Sequence, residues 1–213
     1  MLVFTNLSKS TMTKTTDIAH ISERQMEIIE AAGKILSESG VSGLTIKNLA
    51  AEMGFTEPAL YRHFKSKEDI IIAMLEYLAA DIDKRLIPIT SSNHTPEYKF
   101  KQLFTEQFRF FSAHPHFAVA VFSDGLLEES NRINQSILKI MATKMKHLMP
   151  IIMEGQQRGT FTNEITTEEL IHVVMASFRL QMFKWRLAHF KYDITRHGEN
   201  TIQSVLTLIK SKK

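Results

Sequence analysis

The 213-residue sequence contains no cysteine, a single tryptophan, five prolines and eight glycines. The missing thiols exclude disulfides, iron–sulfur clusters and thiolate zinc sites, and they suit a reducing, cytoplasmic setting. No run of about 18 apolar residues is present, so no segment reads as a membrane span. The short apolar stretch at the N-terminus has neither a basic flank nor a small-residue cleavage site, unlike a secretory leader. Apolar–polar alternation at period two, the mark of a half-buried strand, is nowhere convincing, and no internal repeat emerges. The G-x-S-x-G elbow, the P-loop and the Rossmann fingerprint are all missing, so the chain reads as a non-enzyme that needs no cofactor. Its nine histidines show no HxxxH spacing, and His114 and His116 stand too close to share a helical face; no metal site is expected.

What remains is the composition of a packed globular protein: 44% hydrophobic and 23% charged residues. The net charge of +3 is weak support for nucleic-acid binding, and its distribution weakens the argument further. Residues 1–70 carry eight Lys/Arg against nine Asp/Glu, a balance of −1. The basic surplus lies toward the C-terminus, ending in Lys210, Lys212 and Lys213. Any DNA-binding argument must therefore rest on where particular charges stand.

Helical periodicity runs through almost the whole chain, which predicts an all-α protein of about nine helices. Residues 1–21 read as a flexible polar tail, with Met12 a second candidate start. Ser22 and Gln25 fit a capping box that opens a first helix with Ile28, Ile29, Ala32, Ile35 and Leu36 on one stripe and Gly40 as its left-handed cap. A second helix of about two turns starts at Thr45, and Gly54 stops it. Thr56 caps a short third helix with Pro58 in its first turn. Ser66 and Asp69 read as another capping box, opening a long fourth helix that Pro88 ends. Thr95-Pro96 opens a fifth, Pro115 a sixth that closes near Gly125, and a seventh runs from about Glu128 to Gln157, with Ile133, Ile137, Met141, Met145, Leu148 and Ile152 in register and Gly155 and Gly159 loosening its end. Thr166 and Glu169 form a further capping box before an eighth helix, over 167–191, that is apolar on most of its circumference. A ninth covers 199–211. The domains expected are the tail, a three-helix unit at 22–68, and a helical bundle at 69–213.

The segment TIKNLAAEMGFTEPALYRHFKSKED at 45–69 carries the function. Its two short helices are each too short to be stable alone, and each keeps a narrow apolar face (Ile46, Leu49, Met53; Leu60, Phe64) that must lean on the first helix. Two such helices crossing around a tight glycine turn make a helix-turn-helix, whose second helix enters the major groove. The outer face of that helix offers Thr56, Glu57, Ala59, Tyr61, Arg62 and His63.

On these residues the stretch resembles the N-terminal domain of the TetR family of transcription regulators. The elements that match are Thr45, Leu49-Ala50, the Gly54 turn, and above all Leu60-Tyr61-x-x-Phe64-x-x-Lys67-Glu68. The resemblance implies that Tyr61 and Lys67 contact phosphates and that Thr45 and Lys47 flank the backbone from the second helix. It also implies that Thr56, Glu57, Ala59 and His63 face bases or nearby phosphates, with Leu60 and Phe64 in the core. Thr56-Glu57-Pro58 departs from the family's common Ser or Lys-Gly. Glu57, an acceptor, either reads a cytosine amine or holds a neighbouring side chain.

For the C-terminal half the resemblance implies a homodimer through the last two helices, placing two recognition helices on a palindromic operator in double-stranded DNA, and a ligand-sensing bundle. The nearly all-round apolar eighth helix (Leu170, Val173, Val174, Phe178, Met182) independently asks for more burial than one bundle supplies. Candidate ligand contacts are Phe104, Phe108, Phe111, Phe117, Met145, Met149, Met175, Phe178, Met182 and Trp185, a set rich in adaptable apolar side chains. Arg179, Gln181 and His147 are candidate polar contacts. The bland alternative is that these stripes are simply core. The function expected is a TetR-type regulator, a repressor released by a small hydrophobic ligand. Alternatives are a DNA-bound structural or adaptor protein of the same fold without a ligand, and a metabolic enzyme or small-molecule carrier.

Overall fold

The computed structural model describes residues 21–122, 124–127 and 130–211, and the architecture is all-α. The expected tail at 1–21, apart from Ile21, lies outside the described residues, as do Met12, Glu128, Lys212 and Lys213. In chain order the helices are α1 (Glu23–Gly43), α2 (Ile46–Met53), α3 (Glu57–Tyr61), α4 (Lys67–Thr90), α5 (Pro96–Ala113), α6 (Pro115–Phe122), the single turn α7 (Asp124–Leu127), α8 (Asn131–Gln157), α9 (Thr167–Leu187) and α10 (Ile194–Ile209). Among the described residues that is one more than the expected nine, the addition being that short turn. Among the described residues the only β pairing is an isolated bridge between Phe161 and Lys210, which ties the loop after α8 to the end of α10.

The helix starts follow local chemistry. The reciprocal capping boxes at Ser22/Gln25 and Thr166/Glu169 both form. At Ser66 only half a box forms: its hydroxyl accepts from Asp69 N–H, while the Asp69 carboxylate turns to the Ser66 hydroxyl and to Arg132. Aspartate is one methylene shorter than the glutamate that usually completes the box.

Several helix ends differ from expectation. Gly40 does take positive φ (68°), but with ψ of −169° it is no left-handed cap; a further turn follows it, and α1 closes at Gly43. Pro88 does not end α4, which runs on to Thr90, because a missing N–H costs little so close to a C-terminus already stitched by Ser91 N–H and the Thr90 hydroxyl. Gly155 does not loosen α8; it is buried, and the Phe161 ring occupies the space a Cβ would take. α9 stops at Leu187, earlier than 191, since His189 and Phe190 take positive φ. α10 begins five residues before the expected 199, with Asp193 as its cap.

α1, α2 and α3 form a small unit in which Leu36, Leu49 and Leu60 are sealed from solvent. α1 also packs on α4 and α6, which joins the unit to the rest. α8 is the spine of the larger bundle, lying against α4, α5 and α9, while α10 closes over α5 and α9. The large buried side chains along α8 include Ile133, Ile137, Ile140, Lys144, Leu148, Ile151 and Ile152. Ile133, Ile137, Leu148 and Ile152 are buried as expected, but Met141 and Met145 lie on the half-buried flank, and Ile140 and Lys144 take the buried positions between Ile137 and Leu148. No helix among the described residues is long and apolar enough to cross a membrane.

Candidate nucleic-acid interface

The helix-turn-helix is built as its sequence dictates. Thr45 caps α2 by accepting from Asn48 N–H at 3.1 Å. At the other end Gly54 takes the left-handed conformation (φ 65°, ψ 29°), and the N–H of Phe55 reaches back to Ala50 C=O at 2.8 Å. A side chain at Gly54 would strain this turn. Thr56 caps α3 by position, though its hydroxyl makes no capping bond. Leu60 and Phe64 point inward and are buried. Gln25 donates to His63 C=O at 3.4 Å, and Lys34 pairs with Glu52 at 2.5 Å, so α1 holds both short helices.

This packing leaves Thr45, Lys47, Thr56, Glu57, Tyr61 and Arg62 exposed, with Ala59, His63 and Lys67 half-buried. All nine residues expected to face DNA therefore sit on α2 or its N-cap, on α3, its N-cap or its following turn, or on the first residue of α4, and none is in the core. Tyr61 is 51% exposed although it belongs to a helix whose other side is sealed. An exposed aromatic hydroxyl beside guanidinium, imidazole and ammonium groups suits phosphate oxygens and base edges.

The unfavourable charge balance of this region also finds its explanation. Glu27 pairs with Arg24 and Glu52 with Lys34. Arg132, from the start of α8, binds both Glu68 at 2.6 Å and Asp69 at 2.9 Å. Its guanidinium holds the Asp69 carboxyl below the usual carboxylate range. Ser130 donates to Glu68 as well. Four of the acidic groups are thus engaged within the protein, and the α8 start is clamped to the α4 start, directly after the helix-turn-helix.

The ten apolar residues singled out in the C-terminal half do not line one site. Phe104, Phe108, Phe111 and Phe178 belong to an interior cluster, with Phe178 lying 5.6, 5.1 and 6.4 Å from the other three ring centres. Met182 is buried beside Phe178 on the same face of α9, one turn on, and Met175 is half-buried. Phe117 stacks instead on Tyr77 and lies 4.4 Å from His116. Trp185 is a structural residue near the end of α9, donating to Tyr192 C=O at 2.9 Å. Met145 and Met149 line an open groove of about 400 Å³ along α8, with Pro150 and Met153.

The three polar candidates have structural partners or none. Gln181 joins α9 to Tyr192 and Thr201, His147 joins α8 to Asp83 at 2.7 Å and Thr90 at 3.3 Å, and Arg179 is exposed.

Sequence reasoning missed the polar residues that do enter the aromatic interior. Lys144 is 3% exposed, with its ammonium 4.3 Å from the ring centre of Phe178, 5.4 Å from Phe111 and 5.9 Å from Phe122. Burial, with a smaller contribution from the like charge of Arg85, lowers its pKa to about 7. Gln107, on the face of α5 that carries Phe104, Phe108 and Phe111, leaves its carbonyl oxygen without a hydrogen bond. The signal was present: Lys144 stands four residues from Ile140 and four from Leu148, inside an otherwise apolar stripe. Among the described residues no group of three His, Cys, Asp or Glu side chains is placed to hold a metal ion.

Comparison with known proteins agrees with this architecture. Residues 28–74 match the family of bacterial regulatory proteins, tetR family, and residues 76–208 match the YsiA-like protein C-terminal region. The chain is 25% identical over 174 residues to a nucleoid occlusion factor of Shewanella pealeana, covering 82% of this chain and 88% of that one. It is 21% identical over 190 residues to the fatty acid metabolism regulator protein of Bacillus subtilis, covering 89% and 97%. The solved structure of the FadR transcriptional regulator from Bacillus subtilis with stearoyl-CoA superposes with a TM-score of 0.76 at 20% identity, covering 86% of this chain and 98% of that one.

Proposed function

The chain belongs to the TetR family of bacterial regulatory proteins, and from that premise we propose that it is a homodimeric transcriptional repressor, acting on the chromosome in the cytoplasm and released from a palindromic operator by a small hydrophobic ligand. The observation that carries the reading is Tyr61, exposed at the end of a short helix whose opposite side, Leu60 with Phe64, is sealed against the core. In this reading Tyr61 and Lys67 bind phosphates and Thr45 and Lys47 flank the backbone. Thr56, Glu57, Ala59, Arg62 and His63 face the groove. α9 and α10 leave Val173, Leu180, Leu187 and Leu208 exposed, an apolar face fit to pair with its copy across a two-fold axis. Two recognition helices would then meet successive major grooves.

Release works by linkage. The clamp from Arg132 to Glu68 and Asp69 couples the disposition of α8, and so of anything seated in the bundle, to the first turn of α4. A ligand that binds better to one disposition of α4 moves Tyr61 and Lys67 relative to the DNA backbone, and it acts only through that difference in affinity. The test is binding of the purified protein to DNA upstream of its own gene across a salt series. Tight, sequence-selective, salt-sensitive binding by a dimer is expected, weakened by apolar compounds; weak, sequence-blind binding to every fragment of a genomic library would defeat the reading.

A second reading has a specific observation in its favour. The likeness to a nucleoid occlusion factor, together with close ring contacts in the interior, suits a DNA-bound adaptor of the same fold that takes no ligand. It predicts operator binding that no apolar compound alters.

A further inference from the structure

Lys144 has no role in the DNA interface, in the clamp or in the pairing face. Its ammonium lies within 6 Å of three phenylalanine rings contributed by α5, α6 and α9. Among the described residues no carboxylate lies within ion-pair distance of it, although Arg24, Lys34, Arg85, Lys99, Arg132, Lys139, Lys146 and Arg158 all have such partners. The charge it does feel is a second cation, Arg85, which pairs with Asp81 and Glu106 and lies over the ring of Phe110. Both terminal nitrogens of Arg85 are buried without a hydrogen bond.

Buried cations are normally paired, because ring faces replace only a small part of the hydration that is lost. A lysine placed in the centre of the apolar stripe of α8 costs the bundle stability and gives nothing in return unless an anion comes to it. That anion has to enter among phenylalanine rings, so the rest of the molecule must be apolar. The site holds one uncompensated ammonium, which matches one negative charge; a phosphate dianion would arrive with charge and lone pairs that this lining leaves unsatisfied. A thioester presents no charge at its buried end and gains nothing from Lys144.

We propose that the bundle interior binds a monocarboxylate with an apolar body, an alkanoate or arylalkanoate, whose carboxylate pairs with Lys144 while its body lies against Phe111, Phe122 and Phe178. This names the ligand class for the release mechanism above and rests on that reading.

The experiment measures direct binding of dodecanoate, dodecanol and dodecanoyl-CoA to the full-length dimer by calorimetry, alongside their effect on operator affinity. Wild-type protein, Lys144→Met and Lys144→Gln are compared after circular dichroism has shown each to be folded. The acid should bind wild type about thirtyfold or more tightly than the alcohol, and both variants should lose that preference. Equal binding of acid and alcohol to wild type, or undiminished acid binding to both variants, overturns the inference. If the acid binds through Lys144 but leaves operator affinity unchanged, the inference holds and the ligand-release reading fails. If only the alcohol or the thioester releases DNA, that reading holds and the inference falls.

Discussion

The ring of His116 in α6 lies directly over Gly33 in α1, so close that a Cβ on Gly33 would sit 2.6 Å from its Cδ2 and 2.7 Å from its Cγ. This is the close approach that lets α1, the scaffold of the helix-turn-helix, rest on the larger bundle. Gly33→Ala must push the ring or the helix aside. The expected loss is about 1–3 kcal/mol, read as a lower Tm, with weaker operator binding. His116→Ala should be mild alone and should largely rescue Gly33→Ala. A double-mutant cycle showing independent effects would refute the contact as the cause.

The same histidine sets a pH dependence. Burial holds the His116 pKa below its ordinary value of 6.5, with Glu30 opposing and His114 adding slightly to the shift. Its Nε2 has no hydrogen-bond partner. Because the unfolded chain takes up the proton first, stability should fall as pH drops below about 6.5, and should level off once the folded pKa is passed. Comparing the stability of wild type and His116→Gln across that window checks it; identical slopes would acquit His116.

Much of this fold was legible because its signals are local. Ser22 with Gln25, and Thr166 with Glu169, specify helix starts within four residues, and Gly54 can hardly be anything but the turn between two short amphipathic helices. The nine DNA-facing candidates emerged from the same short stretch. The bundle interior was harder, since burial there depends on which neighbours arrive. Periodicity placed both ends of the α8 stripe, at Ile133, Ile137, Leu148 and Ile152, but not its middle, where Ile140 and Lys144 are buried in place of Met141 and Met145. Phe117 and Trp185 have the same apolar character as Phe104 and Phe178, yet they pack in different places, one under α4 and one at the α9 end. Local pattern cannot separate them. Two boundaries were misplaced for local reasons that propensity alone does not weigh: Pro88 is tolerated within the last turn of α4, and Asp193 caps α10 ahead of the expected start.

At the interface itself, Tyr61→Phe should leave Tm almost unchanged, since the hydroxyl is exposed, but should weaken operator binding about tenfold or more through the loss of a hydrogen bond to a charged oxygen. Lys67→Met should reduce the slope of log affinity against log salt by about one per protomer and weaken all sequences alike. A salt slope that Lys67→Met does not change would remove that residue from the phosphate contacts.

Replacing Lys144 affects stability in a direction opposite to most core substitutions. With its pKa lowered to about 7, the folded state binds fewer protons than the unfolded state between that pH and about 10.5, so wild-type stability should rise with pH across the window. Lys144→Met removes the desolvation cost and should raise stability at neutral pH by about 1–4 kcal/mol, flattening the rise. Denaturant titrations at several pH values test both parts. A destabilised Lys144→Met with the slope intact would mean that the ammonium is satisfied in the folded protein.

The pairing face can be tested without touching either site. Leu180 is 59% and Leu187 60% exposed on α9, and Leu208 is 77% exposed on α10. Substituting Leu180→Glu places a charge at the centre of the proposed two-fold contact, where burying it unpaired costs far more than the pairing of one leucine contributes. In the isolated protomer the same substitution lies in water and should shift stability by no more than about 0.5 kcal/mol. Sedimentation should therefore show a monomer, and operator affinity should collapse toward that of a single half-site while the helix-turn-helix stays intact. A Leu180→Glu protein that remains dimeric at micromolar concentration would move the interface elsewhere.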